Sequence, residues 1–281
     1  MGLFGGVLIA SDIDMTFLDS DGKIVPVNAA YIRSFTKQGG RFCFATGRTH
    51  CSLERLIPGI GALTSAPSIL SNGSYVCNLR TGKIENEICM DTAAAYPFLE
   101  RLTSLYPQVG FRLSVADEFY VPVLTPQMER ELALYEGHIH LCTLSQMPRS
   151  GWNKIVFHGT AEVLAAVRTS MLQDKASTRF AIMKSSPSLL EVLAKDASKG
   201  VQLRYLKEKY AAAGTPVTTY GIGDYENDLP LLRAADVAVC PENAQQKVKD
   251  TCAFHVCSND SGAIADLIRM IGAQRAAALK I

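Results

Sequence analysis

Residues 9–18 read Ile-Ala-Ser-Asp-Ile-Asp-Met-Thr-Phe-Leu, and the apolar run that leads into them begins at Val7. Such a run is typical of a buried strand, which we expect to end near Asp12. Side chains alternate between the two faces of a strand, so Asp12 and Asp14 lean to one side while Ile13 points to the other. The stretch therefore predicts a buried strand that ends in two neighbouring carboxylates.

Two carboxylates that lie close together resist joint ionisation unless a cation lies between them. Mg²⁺ is a hard ion that prefers oxygen ligands, so Asp12 and Asp14 are candidate metal ligands. Acidic turns after strands are also common in proteins without any such site. The motif alone leaves both interpretations open, and the rest of the chain has to separate them.

The composition is that of a folded protein with a sizeable core, because 48% of the 281 residues are hydrophobic and 20% are charged. The net charge of +1 does not favour nucleic acid or an anionic membrane as a partner. The eight cysteines show no C-x-x-C pair and no zinc spacing, so we expect free thiols. No apolar run reaches the roughly 18 residues of a membrane span, and we expect a cytoplasmic protein.

Strands and helices alternate at both ends of the chain. After the first strand, the predicted elements are a helix at 27–37, a strand at 41–45, a helix at 49–56 and a strand at 68–70. The alternation resumes with a helix at 198–210 that Ser198 caps, strands at 216–222 and 237–240, and a helix at 262–280. This order is typical of a doubly wound parallel sheet.

The middle of the chain is rich in hairpins instead. Arg80-Thr81-Gly82 separates one pair of strand-like runs, and Ala116-Asp117-Glu118 separates another. Helical patterns lie among these strands at 92–106, 126–134 and 161–172. We therefore predict an α/β protein with a doubly wound, Rossmann-like core formed by residues 1–79 and 195–281, and an inserted α+β domain at residues 80–194.

Polar clusters follow the strands of the predicted core or open one of its helices. They are Asp12 with Asp14, Thr46-Gly47-Arg48, Lys199, and the run from Asp224 to Asp228. Loops beyond the carboxyl ends of an open α/β sheet share one crevice, so we expect the clusters to meet. Carboxylates, a hydroxyl and a lysine around Mg²⁺ suit a phosphoryl group, whose charge needs cations around it.

The two acids of the first motif have different predicted roles. Asp12 is placed to attack phosphorus as a carboxylate nucleophile and to form an aspartyl-phosphate. Asp14 is set back by two residues, so it is the candidate acid that protonates the leaving oxygen and the base that then activates water. Mg²⁺ between Asp12 and a phosphate oxygen would reduce the repulsion between two anions.

The remaining clusters supply the partners of that chemistry. Thr46 and Lys199 are predicted to hold phosphoryl oxygens, and Asp224 is predicted to bind the metal ion. Asn227 and Asp228 would orient ligands and water around them. Asn72 and Asn243 are candidate accessory contacts, although either residue suits a simple cap or turn equally well.

The motifs DIDMT (12–16), ATGR (45–48), SKG (198–200) and GDYEND (223–228) stand in this order along the chain. Together they resemble the motifs of the haloacid dehalogenase-like phosphatases. The large insertion, with SNG at 71–73 and PENA at 241–244, is similar to the Cof-type subgroup, which has a type IIB cap. The resemblance implies a Mg²⁺-dependent phosphatase that acts on small phosphorylated metabolites and whose cap selects the leaving group.

The resemblance also implies a role for each matching residue. Asp12 is the nucleophile, Asp14 is the acid and base with its backbone carbonyl on Mg²⁺, and Asp224 is a metal ligand. The positions that match phosphate or substrate contacts are those of Thr46, Gly47, Lys199 and Asn227. Met15 departs from the family, because the commonest form of the motif has glycine there, and this difference bears on substrate or rate.

Two other functions use similar residues. A sugar phosphomutase would share every catalytic residue, although no sugar-specific motif is evident in the chain. A phosphoacceptor switch of the receiver type also gathers acids, a threonine and a lysine at strand ends, but such domains are much shorter and have no inserted cap. We expect a small phosphorylated metabolite as the ligand, and a monomer or small homo-oligomer.

Overall fold

A computed structural model describes residues 2–132 and 138–278 of the chain. The strands are β1 Val7–Ser11, β2 Arg41–Phe44, β3 Ser68–Leu70, β4 Tyr75–Asn78, β5 Lys83–Glu87, β6 Gly110–Val115, β7 Glu118–Val123, β8 Ile139–Leu141, β9 Lys154–His158, β10 Phe180–Ser186, β11 Leu189–Ala194, β12 Thr218–Ile222, β13 Val237–Pro241 and β14 Phe254–Val256. The helices are α1 Pro26–Lys37, α2 His50–Leu56, α3 Thr92–Leu105, α4 Pro126–Leu132, α5 Ala161–Gln173, α6 Lys199–Ala212, α7 Leu229–Ala234, α8 Gln246–Lys249 and α9 Ala263–Ala278. The ends of the helices predicted at 126–134 and 262–280 lie outside the described residues.

The chain divides into two compact units. Unit 1 contains the residues up to Gly47, Gly59–Glu85 and the residues from Ser198 onward, and unit 2 contains Arg48–Pro58 and Asn86–Ala197. The predicted α/β architecture is confirmed, because unit 1 holds a parallel sheet and unit 2 a separate mixed sheet. The proposed limits of the inserted domain, 80–194, stay a prediction, and the sequence pattern did not indicate that Arg48–Pro58 groups with unit 2.

The parallel sheet of unit 1 has the strand order β14-β13-β12-β1-β2, so β1 lies inside it. Its five residues are fully buried and pair in parallel with β12 on one side and β2 on the other. Leu8 and Ala10 of β1 pack in one apolar cluster with Leu203 and Leu206 of α6 and with Leu231 of α7. This packing places α6 and α7 on one face of the sheet.

The helices α1 and α9 pack against each other elsewhere in unit 1. Asn28 of α1 is fully buried and joins three segments, because its Nδ2 donates to the carbonyl oxygen of Phe17 and its Oδ1 accepts from the backbone N–H of Ala265. The ring of Phe17 lies 5.0 Å from the ring of Phe44, the last residue of β2. These contacts fix the segment that follows the Asp12 motif against the sheet.

The predicted third parallel strand, Ser68–Leu70, is not a regular member of this sheet. A single parallel bridge joins Ala45 to Ile69, whereas β3 pairs antiparallel with β4 in a small sheet of order β3-β4-β5. The chain reverses directly after β3, and only an antiparallel partner can follow so short a connection. The predicted turn at Arg80-Thr81-Gly82 does separate β4 from β5. The short strands β8 and β14 were not predicted.

Unit 2 contains a six-stranded sheet of order β10-β11-β9-β6-β7-β8, in which the β7–β8 pair is parallel. Residues of α3 and α5, such as Phe98 and Val167, share a core with Phe111 of β6 and Phe157 of β9. All eight cysteines of the chain lie in described residues and are free thiols, as predicted. Within the described residues, every helix is too short or too polar to cross a lipid bilayer.

Polar side chains of β9 alternate with the apolar residues that enter this core. Lys154 of β9 and Glu191 of the neighbouring strand β11 are both buried, and Nζ of Lys154 lies 3.1 Å from Oε2 of Glu191. His158 is also buried, and burial lowers the pKa of its imidazole to about 3. Unit 2 therefore holds this histidine in its neutral form across the physiological pH range.

We expect the free energy of unfolding to decrease as the pH is lowered, because His158 is buried in its neutral form. Its folded pKa lies below the ordinary value of about 6.5, so its contribution is complete above that pH and is lost as the pH falls toward 3. Between pH 7 and pH 5 the loss should reach about 2 kcal/mol of unfolding free energy. His158→Gln should remove this part of the pH dependence in urea unfolding, whereas the exposed His255→Gln should not. Equal pH slopes for wild type and His158→Gln would contradict the assignment.

Candidate functional site

The polar clusters of unit 1 lie where its secondary-structure elements end or begin. Asp12 directly follows β1, and Asp224 comes two residues after β12. Lys199 is the first residue of α6, whose N-cap Ser198 accepts a hydrogen bond from the N–H of Val201 at 3.1 Å, as predicted. Because β1 and β12 are adjacent parallel strands, their carboxyl ends bring the two aspartates to one edge of the sheet.

The ammonium group of Lys199 joins two carboxylates in the interior. Its Nζ lies 2.7 Å from Oδ1 of Asp12 and 2.5 Å from Oδ1 of Asp228. Lys199 is only 1% exposed, and both aspartates are buried. Burial by itself would lower the pKa of Lys199, but Asp12 and Asp228 outweigh it and raise that pKa. Lys199 is therefore a buried cation that stays charged.

Asp228 organises the turn that carries Asp224. Its Oδ2 accepts hydrogen bonds from the backbone N–H groups of Asp224 and Tyr225 at 3.0 and 3.1 Å. A Cβ atom on Gly223 would lie 2.3 Å from Cγ of Asp228, so a side chain at residue 223 would displace the carboxylate. From the sequence, Asp228 was predicted only to orient ligands and water around the site. Its spacing of four residues from Asp224 was the available signal.

Asp12, Asp224 and Asp228 form a group of three carboxylates, each of which places one oxygen atom within 4.8 Å of an oxygen of the other two. Burial, followed by the charge of Asp228, raises the pKa of Asp12 well above its usual range and that of Asp224 to about 7. Thr16 Oγ1 donates to Oδ1 of Asp224 at 3.0 Å and helps to orient it. Three buried carboxylates around one ammonium carry excess negative charge. Their oxygen atoms therefore fit Mg²⁺, which would relieve this repulsion.

Asp14 and Met15 lie on the exposed side of the first motif. The carboxylate of Asp14 is not part of the three-carboxylate group among the described residues, and its predicted catalytic and carbonyl roles stay predictions. Met15 is 41% exposed and has a left-handed backbone with φ of 60°, which explains why glycine suits this position. Its carbonyl oxygen accepts from Nδ2 of Asn243 at 2.8 Å, so Asn243 supports the motif.

The other predicted phosphate contacts gather around Asn72. Thr46 follows β2, is buried, and accepts at its carbonyl oxygen from the N–H of Asn72 at 2.9 Å. Nδ2 of Asn227 donates to Oδ1 of Asn72 at 3.2 Å, and a Cβ atom on Gly47 would lie 3.0 Å from Nδ2 of Asn72. Thr46, Gly47 and Asn227 are thus connected through Asn72, which the sequence indicated only as an accessory contact or a turn residue. Arg48 belongs to unit 2.

Residues 9–268 match the family model described as haloacid dehalogenase-like hydrolase. Putative phosphatase YxeH of Bacillus subtilis (strain 168) is 26% identical over 271 residues, which cover 93% of this chain and 96% of that protein. The HMP-PP phosphatase of Serratia proteamaculans (strain 568) is 25% identical over 243 residues, or 86% of both chains. The family match confirms the family that the four motifs predicted.

The fold is also similar to that of solved structures. A crystal structure of a haloacid dehalogenase-like hydrolase from Bacteroides thetaiotaomicron has a TM-score of 0.79 at 22% sequence identity. The similarity covers 94% of this chain and 99% of that chain. The predicted combination of a Rossmann-like core with a second α+β unit is therefore confirmed as a fold of solved proteins.

We expect Lys199→Met to lower the unfolding free energy by about 3–5 kcal/mol, because it leaves Asp12 and Asp228 buried beside each other without a cation. Urea unfolding in EDTA would measure this loss, and added Mg²⁺ should recover part of it by binding the folded state. Lys207→Met is a matched control on the same helix. Lys207 pairs with Asp236 at the surface, so its loss should stay within about 1 kcal/mol. Equal losses for both variants would contradict the central role of Lys199.

Proposed function

This chain belongs to the haloacid dehalogenase-like hydrolases, and we propose that it is a Mg²⁺-dependent phosphatase of small phosphomonoesters that works through an aspartyl-phosphate on Asp12. The observation that supports this most directly is the ion pair between Lys199 and Asp12 beside two further buried carboxylates. A buried aspartate that is oriented by an ammonium group and lies next to a cation site has what a phosphoryl acceptor needs.

Asp12 performs the proposed covalent step. Lys199 engages its Oδ1, and Oδ2 attacks phosphorus while the bond from phosphorus to the leaving oxygen breaks. Asp14 donates the proton that the leaving oxygen takes up, and its exposed position suits contact with a departing alcohol. Asp14 then accepts a proton from water, which attacks phosphorus, releases inorganic phosphate and restores the carboxylate of Asp12.

Asp12 and Asp224 are the side chains that would hold Mg²⁺, together with the backbone carbonyl of Asp14. Asp228 suits a supporting role, because its Oδ1 pairs with Lys199 and its Oδ2 accepts two backbone N–H bonds. Bound Mg²⁺ supplies a positive charge that reduces the repulsion between the phosphate and the carboxylates. Thr16 keeps Asp224 in one orientation through its hydrogen bond.

Thr46, Gly47, Lys199 and Asn227 are the proposed contacts of the phosphoryl oxygens. The choice of leaving group is assigned to unit 2, as the resemblance implies for the inserted domain. The names of the relatives, a phosphatase and an HMP-PP phosphatase, support a small phosphorylated metabolite as the substrate class. A cytoplasmic location and a monomer or small homo-oligomer remain part of this proposal.

We expect the protein to release phosphate from p-nitrophenyl phosphate in the presence of Mg²⁺, and EDTA to stop the reaction. Asp12→Asn should lower kcat by roughly 10⁴-fold, because the amide is a poor nucleophile toward phosphorus. Asp21→Asn is the control, since Asp21 is an exposed aspartate whose ion pair with Lys23 spans 3.4 Å at the surface. Its kcat should match that of the wild type.

Two results would contradict the proposal. An Asp12→Asn variant that keeps more than a tenth of the wild-type kcat would place the nucleophile elsewhere. With a hexose 1-phosphate as substrate, formation of the 6-phosphate isomer instead of inorganic phosphate would favour the phosphomutase alternative. Phosphorus NMR of the products distinguishes inorganic phosphate from the 6-phosphate isomer.

A further inference from the structure

The residues Ser71–Gly73 form a short turn, named here the 71–73 turn, that contacts three of the proposed phosphate-binding segments. We propose that Asn72 of this turn is a positioning residue, which orients Asn227 and holds the Thr46-Gly47 segment beside it. This inference rests on the proposed phosphatase function, since it gives Asn72 a role in binding the phosphoryl group. From the sequence, Asn72 is equally compatible with an accessory contact and with a simple cap or turn.

The backbone of the 71–73 turn is strained. Ser71, Asn72 and Gly73 have φ angles of 48°, 54° and 96°, so two non-glycine residues adopt the left-handed region in succession. Each such residue costs roughly 1–3 kcal/mol and persists only where its surroundings require it. Ser71 and Asn72 are also fully buried, so the strain is not a surface irregularity. Strain of this kind is typical of functional sites.

The turn is tied to Thr46 by the backbone. The N–H of Thr46 donates to the carbonyl oxygen of Ile69, and the N–H of Asn72 donates to the carbonyl oxygen of Thr46, both at 2.9 Å. The side chain of Asn72 lies beside Gly47, the residue after Thr46, because a Cβ atom on Gly47 would lie 3.0 Å from Nδ2 of Asn72. Gly47 therefore leaves the space that the carboxamide occupies.

The same carboxamide reaches the motif at the carboxyl end of β12. Oδ1 of Asn72 accepts from Nδ2 of Asn227 at 3.2 Å, across 155 positions of sequence. Asn227 lies one residue before Asp228 in the turn that also carries Asp224. A half-buried asparagine has several side-chain orientations available, and this hydrogen bond selects one of them. Asn72 thereby sets the direction in which Asn227 presents its amide.

The turn also packs against the start of α6. A Cβ atom on Gly73 would lie 2.1 Å from the carbonyl carbon of Ser198 and 2.6 Å from the backbone nitrogen of Lys199. Nε2 of Gln202 donates to the carbonyl oxygen of Gly73 at 3.0 Å. The turn is therefore in backbone contact with the residue whose ammonium group holds Asp12.

These contacts explain why asparagine suits position 72. It adopts a left-handed backbone more readily than most residues, and its short carboxamide reaches both Gly47 and Asn227. Glycine would satisfy the backbone requirement alone, and alanine would satisfy neither requirement. Asn72→Gly is therefore the variant that removes the carboxamide while it keeps the turn.

The test measures phosphate binding and turnover in the full-length protein with Mg²⁺. Asn72→Gly should raise the Kd of inorganic phosphate, measured by titration calorimetry, by roughly 10- to 100-fold. It should lower kcat/KM for p-nitrophenyl phosphate by a similar factor. Asn227→Ala should cause a similar loss. The double variant should lose less than the product of the two single losses, because Asn72 acts in part through Asn227. In an Asn72→Asp background, which keeps an oxygen acceptor, Asn227→Ala should still cause a loss.

Asn78→Gly is the matched control, because its carboxamide also closes a turn of unit 1, through the N–H of Arg80 at 3.0 Å. Its phosphate Kd and kcat/KM should equal those of the wild type. The inference is overturned if folded Asn72→Gly stays within twofold of wild type, if the two single losses multiply in the double variant, or if the wild type binds no phosphate. A wild type that binds phosphate without turnover would refute the phosphatase proposal, while the Kd comparison would still test Asn72.

Discussion

The buried ion pairs of Lys199 are the interaction on which unit 1 depends. A lysine at the first position of a helix would ordinarily extend into water, yet this one is enclosed and bridges Asp12 and Asp228. A buried charge is tolerated only when its partners hold it closely. The end of β1, the start of α6 and the turn after β12 therefore have to meet within a few ångströms. The site and the fold of unit 1 thus share one electrostatic constraint.

That constraint leaves the site short of positive charge. Three carboxylates crowd together around a single ammonium group, and burial raises the pKa of both Asp12 and Asp224. A divalent cation would relieve the repulsion, and a bound phosphate group would then lie beside cations instead of beside carboxylates whose charge is not balanced. The same arrangement is unfavourable without a metal ion, and with one bound it would suit the proposed phosphoryl transfer.

The positions around this centre are shaped by backbone constraints as much as by charge. Met15 has a left-handed backbone beside the first motif, and Ser71 and Asn72 have left-handed backbones in the turn next to Thr46. Side-chain amides recur at these points: Asn243 holds the carbonyl oxygen of Met15, and Asn72 accepts from Asn227. Such amides form hydrogen bonds with polar groups of loops, which lie outside the regular hydrogen bonding of helices and strands. They thereby link loops that follow different strands.

Much of this protein follows from the sequence alone. The apolar run into Asp12, the alternation of strands and helices and the order of the four motifs were enough to predict the parallel sheet, the family and the approach of Asp12 to Lys199. Periodicity and motif spacing are local properties, and they survive in a string of letters. The antiparallel pairing of Ser68–Leu70, the grouping of Arg48–Pro58 with unit 2 and the direct bond between Asp228 and Lys199 were decided only by the tertiary structure. Each depends on which distant segment lies within a few ångströms, and hydrogen bonds and ion pairs form by distance in space and not by position along the chain.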